Sequence, residues 1–316
     1  VTTRSRQSLT AHLLLLAVVL VWGTTFSLVK AALADTTPML FNLLRMALAF
    51  AVLAAVNAPA LRGLSRAEVK LGAVAGVLLG LGYQLQTVGL AHTTATKSAF
   101  LTGLVVVMVP LLSALPGVRA RGVERPGLDV YAGAALAFAG LVLLTTPTAG
   151  SGWELLAGMR LGEWLSLGCA VAFAGHLLVL ARAAPRVSAR RLGTLQIGFA
   201  ALLMMVTLPL GGRPTLQAAP ELWLALGVTA VLATAAAFTI QSWAQQHLPA
   251  SHTALIFTLE PVFAWLTALL FFGERLGPRA LAGAGLILAG ILLAELSPLS
   301  RPTSRGGGGL IPITGA

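Results

Sequence analysis

The chain of 316 residues is a succession of apolar stretches, each about 20 residues long, joined by short connections that hold most of the Pro and charged residues. That pattern permits few folds. In hydrocarbon every backbone N–H and C=O must bond within its own segment, so stretches of this length are helices that cross a bilayer. Ten spans are predicted, numbered in order: 11–33, 39–57, 68–90, 96–116, 127–146, 161–182, 190–210, 220–244, 250–272 and 278–296. They make one all-α integral membrane domain over residues 1–300. Residues 301–316, RPTSRGGGGLIPITGA, are expected to be a flexible tail, part of it added for expression. Arg4 and Arg6 before span 1, with AALA at 31–34, imitate a signal peptide. The apolar run is too long for one, so span 1 reads as an uncleaved helix.

Composition excludes a soluble protein. The chain is 57% apolar and 10% charged, against about 25% charged in soluble domains. The net charge of +11 does not indicate nucleic acid, because the basic residues lie between apolar runs without aromatic–basic clusters. They follow the excess of Lys and Arg in cytoplasmic loops. With the N-terminus inside, fourteen basic residues are cytoplasmic: Arg4, Arg6, Arg62, Arg66, Lys70, Arg119, Arg121, Arg125, Arg182, Arg186, Arg190, Arg191, Arg301 and Arg305. Six fall on the other side: Lys30, Lys97, Arg160, Arg213, Arg275 and Arg279. Both termini are therefore expected in the cytoplasm. The single Cys169 excludes an internal disulfide and gives no metal site, and no cofactor motif is found.

Residues 124–143, ERPGLDVYAGAALAFAGLVL, overlay 274–293, ERLGPRALAGAGLILAGILL, with ten of twenty positions identical. Upstream, at an offset of 155, Gln86 meets Gln241, His92 meets His247, and Ala95 and Ala99 meet Ala250 and Ala254. The repeats run over about 11–146 and 161–296. Each holds five spans, an odd number, so the second enters the membrane inverted. Two inverted halves are a plan of secondary transporters, with the substrate site near the midplane between them.

WGTTF at 22–26, LEP at 259–261, GERLGPRALAGAGLILAGILL at 273–293 and the paired halves resemble the EamA-type branch of the drug/metabolite transporter superfamily. Within that branch the chain resembles the YddG-type amino-acid exporters. The resemblance implies ten helices around a central cavity, lined chiefly by spans 1, 3, 4, 6, 8 and 9, and efflux of small metabolites, often amino acids.

Polar side chains within spans each need a partner or a wet cavity. Span 1 offers Trp22, Thr24 and Thr25; span 3 Tyr83, Gln84 and Gln86; span 4 Ser98 and Thr102. Span 6 offers Trp164 and His176, and span 8 Thr239, Gln241 and Ser242. Each of these either lines the cavity or joins helices. The candidate substrate-binding set is Trp22, Thr25, Tyr83, Gln86, Ser98, Trp164, His176, Gln241 and Ser242, with Gln86 facing Gln241 across the pseudo-axis. Trp153 and Trp223 read as interfacial anchors; of Trp22, Trp243 and Trp265, at least one lines or floors the cavity. Gly72, Gly76 and Gly80 read as close helix packing.

Span 9, LIFTLEPVFAWLTALLFF at 255–272, carries Glu260 and Pro261 at its middle. A carboxylate there costs about 2.5–3.5 kcal/mol on insertion scales, and Pro261 strips the carbonyl of Phe257 of its partner. Its repeat mate, span 4, has Val105 and Val106 at those places and Pro110 about one turn on. Arg45, the only basic residue well inside a span, is the expected partner of Glu260, with His176 second. Arg45, Pro110, Glu260 and Pro261 form a gating or structural set.

One cation in the core disfavours phosphorylated substrates, which call for several Arg or Lys donors. The sequence has no HExxH, GxSG or spaced aspartate pair for an enzyme, and no filter or charged ring for a channel. The expected partners are a small neutral or zwitterionic metabolite, amino acids first, and the lipid bilayer; other metabolites or drugs, and then a channel, are the alternatives. Arg outnumbers Lys and Ala and Gly abound, as GC-rich codons produce, which points to a bacterial inner membrane. No oligomeric state follows from the sequence.

Overall fold

The computed structural model describes residues 3–93, 98, 101–118, 125–145, 160–272 and 277–296. The helices there are α1 (Thr3–Ala32), α2 (Pro38–Asn57), α3 (Arg66–His92), α4 (Val105–Ala114), α5 (Leu128–Thr145) and α6 (Leu161–Ala183). They continue as α7 (Ala189–Thr207), α8 (Pro220–Ala244), α9 (Ala250–Phe257), α10 (Glu260–Phe272) and α11 (Pro278–Leu296). Spans 1 to 8 correspond to α1 to α8, span 9 to α9 with α10, and span 10 to α11. Six stretches, in α1, α2, α3, α6, α7 and α8, are long and apolar enough to cross a membrane by themselves. Among the described residues no strand forms, only an isolated bridge between Thr36 and Leu216. The tail at 301–316, Trp153, Lys97 and the side chain of Trp265 lie outside the described residues.

The two halves are related by a two-fold axis, and one seam demonstrates it. A methyl group added at Gly133 would stand 2.5 Å from the carbonyl oxygen of Gly290, and one at Gly290 the same distance from that of Gly133. One at Gly140 would stand 2.5 Å from the carbonyl of Gly283. At the repeat offset of 150, Gly133 is equivalent to Gly283 and Gly140 to Gly290. Equivalent residues therefore exchange partners in an antiparallel α5–α11 pair, which is the signature of a two-fold contact. Elsewhere α3 packs against α6 and α7, and its mate α8 packs against α1 and α2. The small residues of α3 serve this packing: added methyls at Gly72 and Gly76 would meet Leu195 and the Gln196 carbonyl of α7, each at 2.5 Å.

Two elements depart from the sequence reading. Span 9 is not continuous. The N–H groups of Thr258 and Leu259 reach back three residues, to Leu255 and Ile256 at 3.0 and 3.1 Å, and the Phe263 N–H then opens a new helix on the Leu259 carbonyl. Pro261 thus occupies the first turn of α10, where its missing N–H would be unpaired in any case. Glu260 sits at the same helix start, where the macrodipole favours a carboxylate by about 0.3–1 kcal/mol. The two awkward residues are a helix start, not flaws in a helix. Gly23 of α1 makes this possible, since a methyl there would lie 2.7 Å from the Glu260 carbonyl oxygen. The second departure is in α8, where Val231–Ala236 form a π turn; VLATAA carries no Pro or Gly to announce it.

The ends are tied separately. At one, Arg191 bonds Glu68 at 2.7 Å and the carbonyls of Ala60 and Arg62 at 2.6 and 3.0 Å, holding the α2–α3 connection. At the other, the Gln217 N–H bonds the Asp35 carbonyl at 2.8 Å and the Thr36 hydroxyl bonds the Thr215 carbonyl at 3.0 Å.

Candidate functional site

Arg45 of α2 is buried, 5% exposed. Its Nε donates to the Thr234 hydroxyl at 2.7 Å, and its Nη2 to the Tyr83 hydroxyl at 3.1 Å and the Ala233 carbonyl at 3.3 Å. The guanidinium also lies 4.5 Å from the centre of the Tyr83 ring. Thr234 and Ala233 belong to the π turn of α8. Such a turn shifts the helical ladder out of register and leaves a carbonyl for side chains to take. The Trp22 indole N–H takes it too, at 2.8 Å. Local distortion of α8 therefore joins α1, α2 and α3 at one point.

Aromatic rings surround this point. Trp22 meets Phe257 at 4.9 Å and Phe238 at 5.5 Å, and Phe238 meets Tyr83 at 6.0 Å and His176 at 5.9 Å. Phe173 stands edge-on to Tyr83 at 5.5 Å. Tyr83 and Phe238 are repeat mates at the offset of 155, so their contact lies on the pseudo-axis.

Glu260 does not pair with Arg45 as expected. No ion pair or hydrogen bond to its carboxylate occurs among the described residues, and the bonds of Arg45 go to α3 and α8. The reason is competition: the π-turn acceptors and the Tyr83 hydroxyl reach the guanidinium first. Glu260 is half-buried. His176, the second expected partner, bonds Gln196 of α7 at 2.7 Å, and Gln196 in turn bonds Ser242 at 3.0 Å.

The structure sorts the remaining candidates. Trp22, Tyr83, His176 and Ser242 gather at or beside the centre. Thr25 is buried, with its hydroxyl on the Trp22 carbonyl of its own helix at 3.0 Å. Ser98 is buried against Ser166 of α6 at 3.0 Å. Trp164 stands apart, 59% exposed on a stripe with Leu161 and Val171. Gln86 and Gln241 form no bond to each other; Gln241 is buried with its Oε1 unpartnered, and Gln86 is half-buried. Pro110 is buried within α4, its carbonyl accepting from Tyr131 at 3.5 Å. Trp243 meets His247 at 4.6 Å with the rings tilted by 60°, Trp223 is exposed near the start of α8, and Thr239 bonds its own helix at Ala235.

Sequence reasoning passed over Thr234, Phe238, Phe257 and Gln196. Phe238 carried a usable signal as the mate of Tyr83; Thr234, whose mate is Leu79, carried none. A second polar network is structural: Asn42 bonds Gln84 and the Tyr83 carbonyl at 3.1 and 3.0 Å, Thr87 bonds Asn42, and Gln84 bonds Thr207. Among the described residues no three His, Cys, Asp or Glu side chains gather as metal ligands would. Among the described residues the centre thus offers one cation, one carboxylate, hydroxyls and aromatic faces.

Comparison with known proteins agrees with this architecture. The profile of the EamA-like transporter family matches residues 9–146 and again 160–296. A protein of Archaeoglobus fulgidus named as an uncharacterized transporter is 32% identical over 288 residues, covering 90% of this chain and 86% of its own. The uncharacterized transporter YvbV of Bacillus subtilis is 27% identical over 294 residues, covering 90% of each chain. A protein of known crystal structure superposes with a TM-score of 0.72 at 21% identity, covering 91% of this chain and 96% of that one, a likeness of fold.

Proposed function

We propose, on the premise that the chain belongs to the EamA-like transporter family and is a multi-pass membrane transporter of two repeats, that it exports small zwitterionic or uncharged metabolites, amino acids first. Transport runs across the bacterial inner membrane by alternating access, with both termini cytoplasmic. One observation carries this reading: among the described residues the centre holds the Arg45 guanidinium amid hydroxyls and aromatic rings, with Glu260 beside it on the far side of Gly23. Such a site suits a solute of low net charge, whereas a phosphate ester favours several cationic donors. The orientation rests on the fourteen-to-six division of Lys and Arg.

Counterflow in proteoliposomes with the twenty proteinogenic amino acids tests the substrate class. Saturable exchange of at least one supports it, and conductance without saturation indicates a pore. Orientation is tested with Leu64→Cys and Arg190→Cys in a Cys169→Ala background. Both are expected to react in intact cells with a permeant maleimide and not with an impermeant one; impermeant labelling would reverse the topology.

A further inference from the structure

Three of the five N–H groups of Arg45 are spoken for, on Thr234, Tyr83 and Ala233. Both hydrogens on Nη1 have no acceptor among the described residues. Glu260 is in the complementary position, with no donor among the described residues for either carboxylate oxygen. Both residues border the same turn of α1: Trp22 shares the Ala233 carbonyl with Arg45, and the next residue, Gly23, lies against the Glu260 backbone. Charged groups at this depth are costly and mark substrate pathways. A direct pair would lower that cost, but the bonds of Arg45 go to Thr234, Tyr83 and Ala233, which leaves both charges without a direct partner among the described residues, beside Trp22 and its ring contacts with Phe238 and Phe257.

We propose that Arg45 and Glu260 are the two poles of a zwitterion site, the Arg45 guanidinium taking the substrate α-carboxylate and the Glu260 carboxylate its α-ammonium. This rests on the amino-acid reading above and names how that substrate is recognised. Arg45 is suited to its part, because its bonds to Thr234 and Tyr83 fix the guanidinium plane before the ligand arrives, so little side-chain entropy is lost on binding. Binding an ammonium at Glu260 and a carboxylate at Arg45 also satisfies both charges at once, and a ligand with one pole leaves the other unpaired.

The test takes the amino acid that the wild-type protein exchanges best, its carboxamide and its deaminated acid, each as competitor of counterflow in proteoliposomes. In the wild type the two single-pole analogues compete at least ten-fold more weakly than the amino acid. Arg45→Gln weakens the amino acid at least ten-fold and leaves the carboxamide unchanged; Glu260→Gln does the same with the deaminated acid left unchanged. Arg45→Lys and Glu260→Asp, which keep the charges, retain part of the discrimination. A wild type that accepts all three ligands within about three-fold overturns the proposal, whatever the variants do. So does a Glu260→Gln protein that weakens all three equally, or that keeps counterflow and loses only proton-driven accumulation. If no amino acid exchanges at all, the substrate class itself falls, a result distinct from exchange without pole discrimination.

Discussion

At the α5–α11 seam the two repeats bring the same residues to the same contact, glycine against glycine in both directions. At the centre, equivalent positions hold different chemistry. Tyr83 faces Phe238, Thr234 stands where the first repeat has Leu79, and Glu260 stands where it has Val105. The backbone follows suit at α8, which makes a π turn where its mate α3 is regular; the break in span 9 is shared, since Leu104, the mate of Leu259, is likewise a turn and α4 starts at Val105, the mate of Glu260. The duplicated frame holds the halves together, and the departures from duplication supply polar groups at the axis. Symmetry alone cannot recognise an asymmetric solute.

The largest effect is expected where the symmetry is strictest. Gly140→Val places side-chain carbon against the Gly283 carbonyl and the Ile287 N–H, which would lie 2.5 and 2.8 Å from the first added atom. No rotamer relieves a backbone clash, so α5 and α11 have to separate. We expect a loss of about 1–3 kcal/mol, read as a lower unfolding temperature in detergent. Counterflow per folded molecule should stay close to wild type. If turnover falls with stability intact, the seam takes part in transport and the division between frame and centre fails.

A smaller effect tests the asymmetry at the centre. Tyr83→Phe keeps the ring and removes the hydroxyl on which Arg45 Nη2 rests, for about 0.5–1.5 kcal/mol. We expect weaker apparent affinity in counterflow by up to roughly ten-fold. Adding Phe238→Tyr restores the composition with the mates exchanged, and should not rescue, because the Arg45 bonds reach α3 at Tyr83. Rescue by the exchange would show that the two mates are interchangeable, and the symmetric description would then hold at the centre as well.

The same division explains what the sequence discloses. The all-helical, two-repeat membrane fold is legible because apolar length and repeated Gly and Glu identities are properties of the string itself. Tyr83, Trp22 and Ser242 stand out as polar or amphipathic residues within spans, and they do gather at or near the centre. Partners are another matter. Arg45 was expected on Glu260 and is held by Thr234 and Ala233, because the π turn that presents them is a tertiary response with no Pro or Gly to mark it. Trp164 was chosen by residue type and Gln86 by type and its repeat equivalence to Gln241, and neither says which face of a helix a side chain takes.

The smallest effect concerns the residue that looked most disruptive. Pro110 and Pro261 are both in the spans that meet across the axis, but Pro110 is interior to α4 while Pro261 opens α10. At a helix start proline gives up no hydrogen bond, and it restricts the unfolded chain. Pro261→Ala should therefore lower stability by less than about 1 kcal/mol and leave counterflow near wild type. The break itself rests on other contacts: the short hydrogen bonds of Thr258 and Leu259, and Gly23 seated against the Glu260 carbonyl. Gly23→Ala, which crowds that carbonyl, should disturb exchange more than removal of the proline does. If instead Pro261→Ala raises the unfolding temperature and stops exchange, an unbroken α9–α10 helix is the intrinsically favoured state. Proline would then be what holds Glu260 at a helix start, and the centre would owe its shape to local sequence rather than to the packing of α1.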